Sequence, residues 1–272
     1  MTIYNLEKKD LIEYPFPIII QDNFLEQSFF NNLSKSFPNE IFENCSYSER
    51  SRKNLKFNSK YLIKFINNNK DWKKFHTFLT SNKFLLETLK IFEKNINDWK
   101  LKINLSNIEF YEHINLNDTT GLLGTSMPRN FLIKVYQKIR KKYFNFNNKM
   151  FLRIDLACAQ SVKNYYKTIH IDNRSKLLSG LFYFSNTEGD SNLNIYDQIN
   201  SSETFTKNEK SDNMKKSKLK LYKSIDIIPN RLVLFLNTPN SFHSVESTKL
   251  DKKRNFIYFS IGFERDIKPW NN

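Results

Sequence analysis

In Thr168-Ile-His-Ile-Asp-Asn, His170 and Asp172 stand two residues apart in a β-prone stretch. In an extended chain residues i and i+2 project to the same side, so both side chains can face one metal ion. A redox-active ion that also takes small-molecule ligands keeps part of its coordination sphere open. Two imidazoles and one carboxylate make a donor set suited to that task. The third donor is His243, in Asn240-Ser-Phe-His-Ser-Val-Glu, 71 residues past Asp172. That separation excludes a local zinc-finger loop and fits a rolled sheet, in which strands distant in sequence become neighbours. Eleven residues further on, Arg254 opens a β-prone run. A planar guanidinium there is suited to a two-pronged pair with a buried carboxylate.

Taken singly, each residue has an ordinary reading: a surface His-x-Asp pair, a loop histidine, an arginine at a strand end. Their order, their spacing and the strand run between them favour one shared site. His76 and His113 have no partner at ligand spacing and read as structural. Arg174 and Lys176 flank the motif. They read as a solvated strand edge, with contact to an acidic substrate as the alternative.

The elements that must position these groups change character along the chain. Tyr14-Pro-Phe-Pro-Ile-Ile-Ile reads as a strand, followed by an amphipathic helix over 25–37 that Asp22 or Asn23 would cap. Between 71 and 99, apolar residues from Trp72 to Ile96 recur at three- and four-residue intervals, with a break at Ser81-Asn82. Ser126 and Pro128 open a third helical stretch carrying Phe131, Leu132, Val135, Ile139 and Tyr143. From 150 onward the pattern becomes short β-rich runs at 151–159, 177–185, 193–196, 219–228, 231–236 and 255–263. The polar stretch 197–218, with five lysines, is either an ordered lid or a disordered insertion.

Composition bounds the rest. A chain of 272 residues, 39% hydrophobic with 25 Phe and 13 Tyr, can fill a sizeable core as one unit. The formal charge of +15 would suit nucleic acid or another anionic partner. Yet the lysines are spread along the whole chain, and no RRM, KH, helix-turn-helix or zinc-finger pattern occurs. Abundant Lys and Asn with scarce Arg and Gly match the drift of A/T-rich coding, which argues against nucleic acid as the partner. Two cysteines, Cys45 and Cys158, are too few for a disulfide framework, so a reduced, cytoplasmic setting is expected. No apolar run approaches a membrane span, and the first residues lack a signal core.

His170-x-Asp172, His243 and Arg254 together resemble the motif of the 2-oxoglutarate/Fe(II)-dependent oxygenase superfamily, most closely its prolyl 4-hydroxylase-like branch. Leu178-Ser-Gly-Leu-Phe-Tyr-Phe, Gly189-Asp-Ser-Asn-Leu-Asn-Ile-Tyr, Arg231-Leu-Val-Leu-Phe and Pro15-Phe-Pro-Ile-Ile-Ile-Gln-Asp-Asn-Phe-Leu are similar to that branch's strands and entry segment. The resemblance implies an α+β fold: a double-stranded β-helix (jelly-roll) core over 150–265 with N-terminal supporting helices over 1–149, in a single domain of 1–272. It implies that His170, Asp172 and His243 hold Fe(II) and that Arg254 binds the distal carboxylate of 2-oxoglutarate. Many relatives carry a hydroxyl residue where Phe256 stands, so the hydroxyl contact to the oxo-acid passes to Tyr183. The implied reaction uses O2, with ascorbate as an accessory reductant, and hydroxylates a protein side chain, a small metabolite or a sugar derivative while releasing succinate and CO2. Neither that substrate nor the oligomeric state can be read from the residues. Two alternatives stay open: another jelly-roll metalloenzyme of cupin type, and a non-catalytic basic binding module.

Overall fold

The computed structural model describes residues 4–7, 10–45, 51–98, 103–112, 150–186, 190–199, 218–249 and 251–263. The first half supplies strands β1 (Leu11–Ile12), β2 (Ile18–Gln21), β3 (Arg52–Lys56) and β4 (Ile108–Glu112). It also supplies helices α1 (Gln27–Lys35), α2 (Asn39–Glu43), α3 (Lys60–Asn68), α4 (Lys70–Leu79), α5 (Asn82–Ile91) and α6 (Glu93–Asp98). The second half is all strand: β5 (Met150–Ser161), β6 (Lys167–His170), β7 (Lys176–Tyr183), β8 (Leu193–Gln198), β9 (Leu219–Ile225), β10 (Leu232–Leu236), β11 (His243–Val245) and β12 (Arg254–Gly262).

These strands form two sheets. The larger runs β1-β2-β10-β7-β12-β5-β3, with β4 added parallel to β5, and the smaller runs β6-β11-β8-β9. From β5 to β12 the chain passes back and forth between the sheets, pairing antiparallel throughout. This is the wrapped connectivity of a jelly roll. The fold is α+β, as the sequence resemblance implied.

Strict two-residue alternation lets the larger sheet serve two surfaces at once. Leu178 and Phe182 of β7, Leu232, Leu234 and Leu236 of β10, and Ile257, Phe259 and Ile261 of β12 pack with the helices in one apolar core. The alternate residues turn inward between the sheets, where Ser179, Leu181, Tyr183, Phe235, Arg254, Phe256 and Tyr258 line a pocket. The helical core is dominated by aromatic rings. Trp72 and Phe75 are completely buried, and Trp72 stacks on Phe184 with ring centroids 5.8 Å apart. Contacts of this kind hold the sheet flat against α1 and α4.

Local readings of the sequence fare unevenly. The break at Ser81-Asn82 is real: Ser81 caps α5 by accepting from the backbone N–H of Phe84. Neither Asp22 nor Asn23 caps α1, however. Glu26 does, accepting from Ser28 and Phe29 N–H, because the chain needs Asn23 in the left-handed region (φ 49°) to turn out of β2. Asp22 is drawn instead to Arg231, whose Nη2 donates to it at 2.8 Å. The helix expected after Ser126, His113 and most of the insertion (200–217) lie outside the described residues.

Gly262 on β12 lies against the turn that precedes β7. A Cβ there would sit 2.6 Å from the Ser175 carbonyl oxygen and 3.1 Å from Lys176 Cα, both backbone atoms that cannot rotate away. Gly262→Ala should therefore destabilise the protein by about 1–3 kcal/mol. Chemical denaturation would register this as a lower midpoint with an unchanged slope.

Candidate metal centre

The two sheets converge on the three residues singled out by spacing. His170 ends β6 and His243 begins β11, and the two are direct cross-strand partners in the smaller sheet. Their rings lie 4.2 Å apart, with Phe235 of the opposite sheet packed 4.7 Å from His243. Asp172 follows β6 and places Oδ1 3.8 Å from His170 Nε2. One donor atom from each residue lies within 4.8 Å of the others, and all three side chains are buried. The extended-chain argument for His170 and Asp172 holds in outcome, although Asp172 lies just beyond the strand.

Neighbouring backbone sets the tautomers. His170 Nδ1 lies 2.8 Å from the Thr168 carbonyl oxygen and His243 Nδ1 2.9 Å from that of Ser241. A carbonyl only accepts, so each Nδ1 carries the proton and each Nε2 keeps a lone pair. His170 Nε2 is buried and has no hydrogen-bond partner. An orphaned imidazole lone pair facing a second imidazole and a carboxylate suits a divalent transition metal. A dry packing interaction would leave that atom an uncompensated cost.

Electrostatics support the same state. Burial, then the neighbouring His243 and Lys167, hold the His170 pKa down to about 2, against the weaker pull of Asp172. Burial likewise lowers His243. For Asp172 burial acts upward, but the positive charge of Lys176, followed by His243, Lys167 and His170, outweighs it and keeps the carboxyl below its usual range. The site thus presents two neutral imidazoles and one carboxylate, which are the protonation states that metal ligation requires.

Arg254 opens into the same pocket and is 2% exposed. Its Nε donates to Ser161 Oγ at 3.1 Å and its Nη1 to Ser191 Oγ at 2.8 Å. Among the described residues no carboxylate is paired with it at ion-pair distance, although Asp190 lies near enough to favour its charge. Burial lowers its pKa, and the nearby Tyr183 and Tyr165 oppose this. Its guanidinium lies 5.1 Å from the Tyr165 ring centroid. Tyr183 is buried on the same wall, and burial pushes its phenol pKa upward. His76 is held elsewhere, 3.0 Å from Glu112, consistent with a structural role.

Sequence reasoning passed over several supporting groups. Ser161 and Ser191 fix Arg254. Asn237, fully buried after β10, donates to the carbonyls of Asn173 (2.8 Å) and Lys176 (3.0 Å), while its own carbonyl accepts from Ser241 at 3.1 Å. It thereby ties the loop carrying Asp172 to the loop leading into His243. Lys176 is not a solvated strand edge: its Nζ lies 3.2 Å from Asp172 Oδ2. Nothing local marks Ser161, Ser191 and Asn237, since each works across strands distant in sequence, whereas Lys176 serves an acid four residues before it.

No family model and no curated protein sequence matches the chain. Solved structures similar to it include a Pseudomonas putida prolyl-4-hydroxylase (8% identity, TM-score 0.46, covering 91% of this chain and 92% of that one). A prolyl hydroxylase from Trichoplax adhaerens, in complex with a hypoxia inducible factor peptide, is also similar (14%, 0.42, 92% and 84%). So is the non-haem α-ketoglutarate-dependent epimerase SnoN of nogalamycin biosynthesis (6%, 0.49, 90% and 76%). These are prolyl 4-hydroxylases and other 2-oxoglutarate/Fe(II) oxygenases, the group that the motif residues resemble. At such identities the likeness concerns the fold alone.

The depressed histidine pKa values carry a consequence for the metal-free protein. In the unfolded chain the imidazoles titrate near 6.5, so below that pH the unfolded state takes up protons that the folded state refuses. Stability is then fully present above about pH 6.5 and is lost as pH falls toward the folded values. Chelator-treated protein should lose stability between pH 6.5 and 5, at up to about 1.4 kcal/mol per pH unit for each proton. His170→Gln should flatten that slope in urea titrations at several pH values. An unchanged slope would mean that His170 is not held neutral.

Proposed function

We propose that this chain is an Fe(II)- and 2-oxoglutarate-dependent oxygenase, with His170, Asp172 and His243 as the iron ligands and Arg254 as the anchor of the oxo-acid's distal carboxylate. The carrying observation is Arg254. A buried guanidinium without a carboxylate partner among the described residues is costly by itself. It becomes reasonable if the pocket regularly receives an acid. A cupin-type site lacking an oxo-acid would leave this cation unexplained, and so would a non-catalytic basic module. The apolar core shared by the helices and the larger sheet supports reading 1–272 as a single oxygenase unit, with 1–149 buttressing a catalytic core over 150–265. Among the described residues no helix is long and apolar enough to cross a membrane. A cytoplasmic setting is part of the same reading.

The roles of the side chains follow from their positions. Asp172 and the two Nε2 atoms bind the ion, and the Nδ1–H bonds to Thr168 and Ser241 keep the imidazoles aimed. Ser161 and Ser191 orient Arg254 so that its guanidinium meets the acid, with Tyr183 on the same wall. Leu181, Leu193, Phe235, Val245 and Phe256 keep the pocket largely apolar, so water competes poorly for both groups. The bound iron would supply activation of O2. Overall, R–H, O2 and 2-oxoglutarate give R–OH, succinate and CO2, with ascorbate as an accessory reductant. The prime substrate is a protein side chain, a small metabolite or a sugar derivative.

Anaerobic titration with Fe(II) and 2-oxoglutarate should develop the visible charge-transfer absorption of a chelated oxo-acid, and aerobic incubation should release succinate. Asp172→Ala should abolish both. If that variant kept normal iron affinity and full decarboxylation, the carboxylate assignment would be wrong. Arg254→Met should weaken 2-oxoglutarate about 10- to 100-fold, the loss expected for a charged hydrogen-bond partner, while leaving iron affinity close to wild type. Equal oxo-acid affinity by calorimetry would remove Arg254 from the site.

A further inference from the structure

Lys176 opens β7 only four residues after Asp172, at a position where a lysine would ordinarily extend into water. Instead its side chain folds inward and is 21% exposed. Its Nζ lies 3.2 Å from Asp172 Oδ2 and 4.9 Å from the ring centroid of Tyr258, an inward-facing residue of β12. The same Oδ2 also accepts from Ser179 Oγ at 2.5 Å. The lysine backbone is fixed as well. Its N–H donates to the Asn173 carbonyl at 2.9 Å and its carbonyl accepts from Asn237.

A carboxylate oxygen has two lone pairs, and Oδ2 is engaged twice, by the ammonium of an ion pair and by a donated hydroxyl hydrogen bond. Oδ1 is the atom left over, and it is the one that faces His170 Nε2. We infer that Lys176 is a positioning residue: with Ser179 it occupies Asp172 Oδ2 and confines the carboxylate to one-atom ligation of the metal through Oδ1. The inference rests on the iron reading above. Its consequence is a count of open positions. A carboxylate free to chelate would take a second coordination position, in competition with the oxo-acid. A carboxylate held by one oxygen leaves that position open. An ammonium suits the task better than a neutral donor, because it cannot itself ligate while charged and its attraction to Oδ2 opposes rotation of the carboxylate.

The test uses the full chain loaded with Co(II), whose visible d–d absorption reports coordination number, in wild type, Lys176→Met and Lys176→Arg. In Lys176→Met the Co(II) spectrum should change before any oxo-acid is added, Co(II) affinity should hold or tighten, and 2-oxoglutarate should bind about tenfold more weakly. Lys176→Arg, which keeps a cation near Oδ2, should restore the wild-type spectrum and oxo-acid affinity. A lysine that merely braces the loop would show a different pattern, with metal and oxo-acid affinity falling together, and that result overturns the inference. So does a folded Lys176→Met with a wild-type spectrum and wild-type 2-oxoglutarate binding. In both of those cases the wild-type protein still binds both ligands and the oxygenase reading stands. Wild-type protein that binds neither Co(II) nor 2-oxoglutarate sinks both together. Should Lys176→Met fail to fold, Ser179→Ala removes the other donor to Oδ2 and must shift the Co(II) spectrum in the same direction; an unshifted spectrum there overturns the inference equally.

Discussion

A carboxylate withdrawn from water costs several kcal/mol unless its charge and lone pairs are met, and Asp172 is 8% exposed between two sheets. The surroundings of the site are arranged around that cost. Ser179 reaches Oδ2 from β7 and Lys176 adds a positive charge, while Oδ1 is left facing the proton-free Nε2 of His170. The loop bearing Asp172 cannot drift, because Asn237 grips its carbonyls from the end of β10. An acid buried with these partners, beside an imidazole Nε2 without a partner among the described residues, makes a group that could hold a metal ion.

The same logic with the sign reversed applies to Arg254. A guanidinium 2% exposed is hydrogen-bonded, among the described residues, to two serine hydroxyls and paired with no carboxylate at ion-pair distance. Buried anion and buried cation both line one pocket and are not paired with each other. Asp172 pairs with Lys176 instead, and Arg254 is left to the serines. This arrangement also shows why a formal charge of +15 is a poor guide here, since one of 43 basic residues carries the argument and its significance comes from burial.

Two-faced strands make the arrangement mechanically sound. One set of alternating residues on β7, β10 and β12 is locked into an aromatic core against the helices, so the other set is delivered to the pocket with little freedom. A Cβ at position 180 of β7 would lie 2.5 Å from Leu234 Cδ2, so any side chain there would force the packed Leu234 to shift. The helices thus contribute to the site without touching it, by fixing the sheet from behind.

Much of this was legible in the residues. The His-x-Asp pair, the distal histidine and the arginine were recognisable because each had to be a particular chemical type on or beside a β-prone run, and type and order survive in one dimension. The long strands were legible for the same reason, since their alternation is local. The two strands that carry the histidines were not, because three- and four-residue strands hold too little pattern and owe their existence to pairing with each other. Lys176 was read as solvated because a lysine at a strand end usually is; only the folding of β6 and β7 around Asp172 turned it inward. Ser161, Ser191 and Asn237 were invisible for a related reason. Their partners lie 61 to 93 residues away, and a hydroxyl or amide has no signature until the group it serves has been brought within hydrogen-bonding distance. The sequence by itself therefore determined which chemical groups were available and in what order they occur. The tertiary structure alone decided which of them are buried, because burial turns an ordinary acid, imidazole or guanidinium into a group that must find a partner.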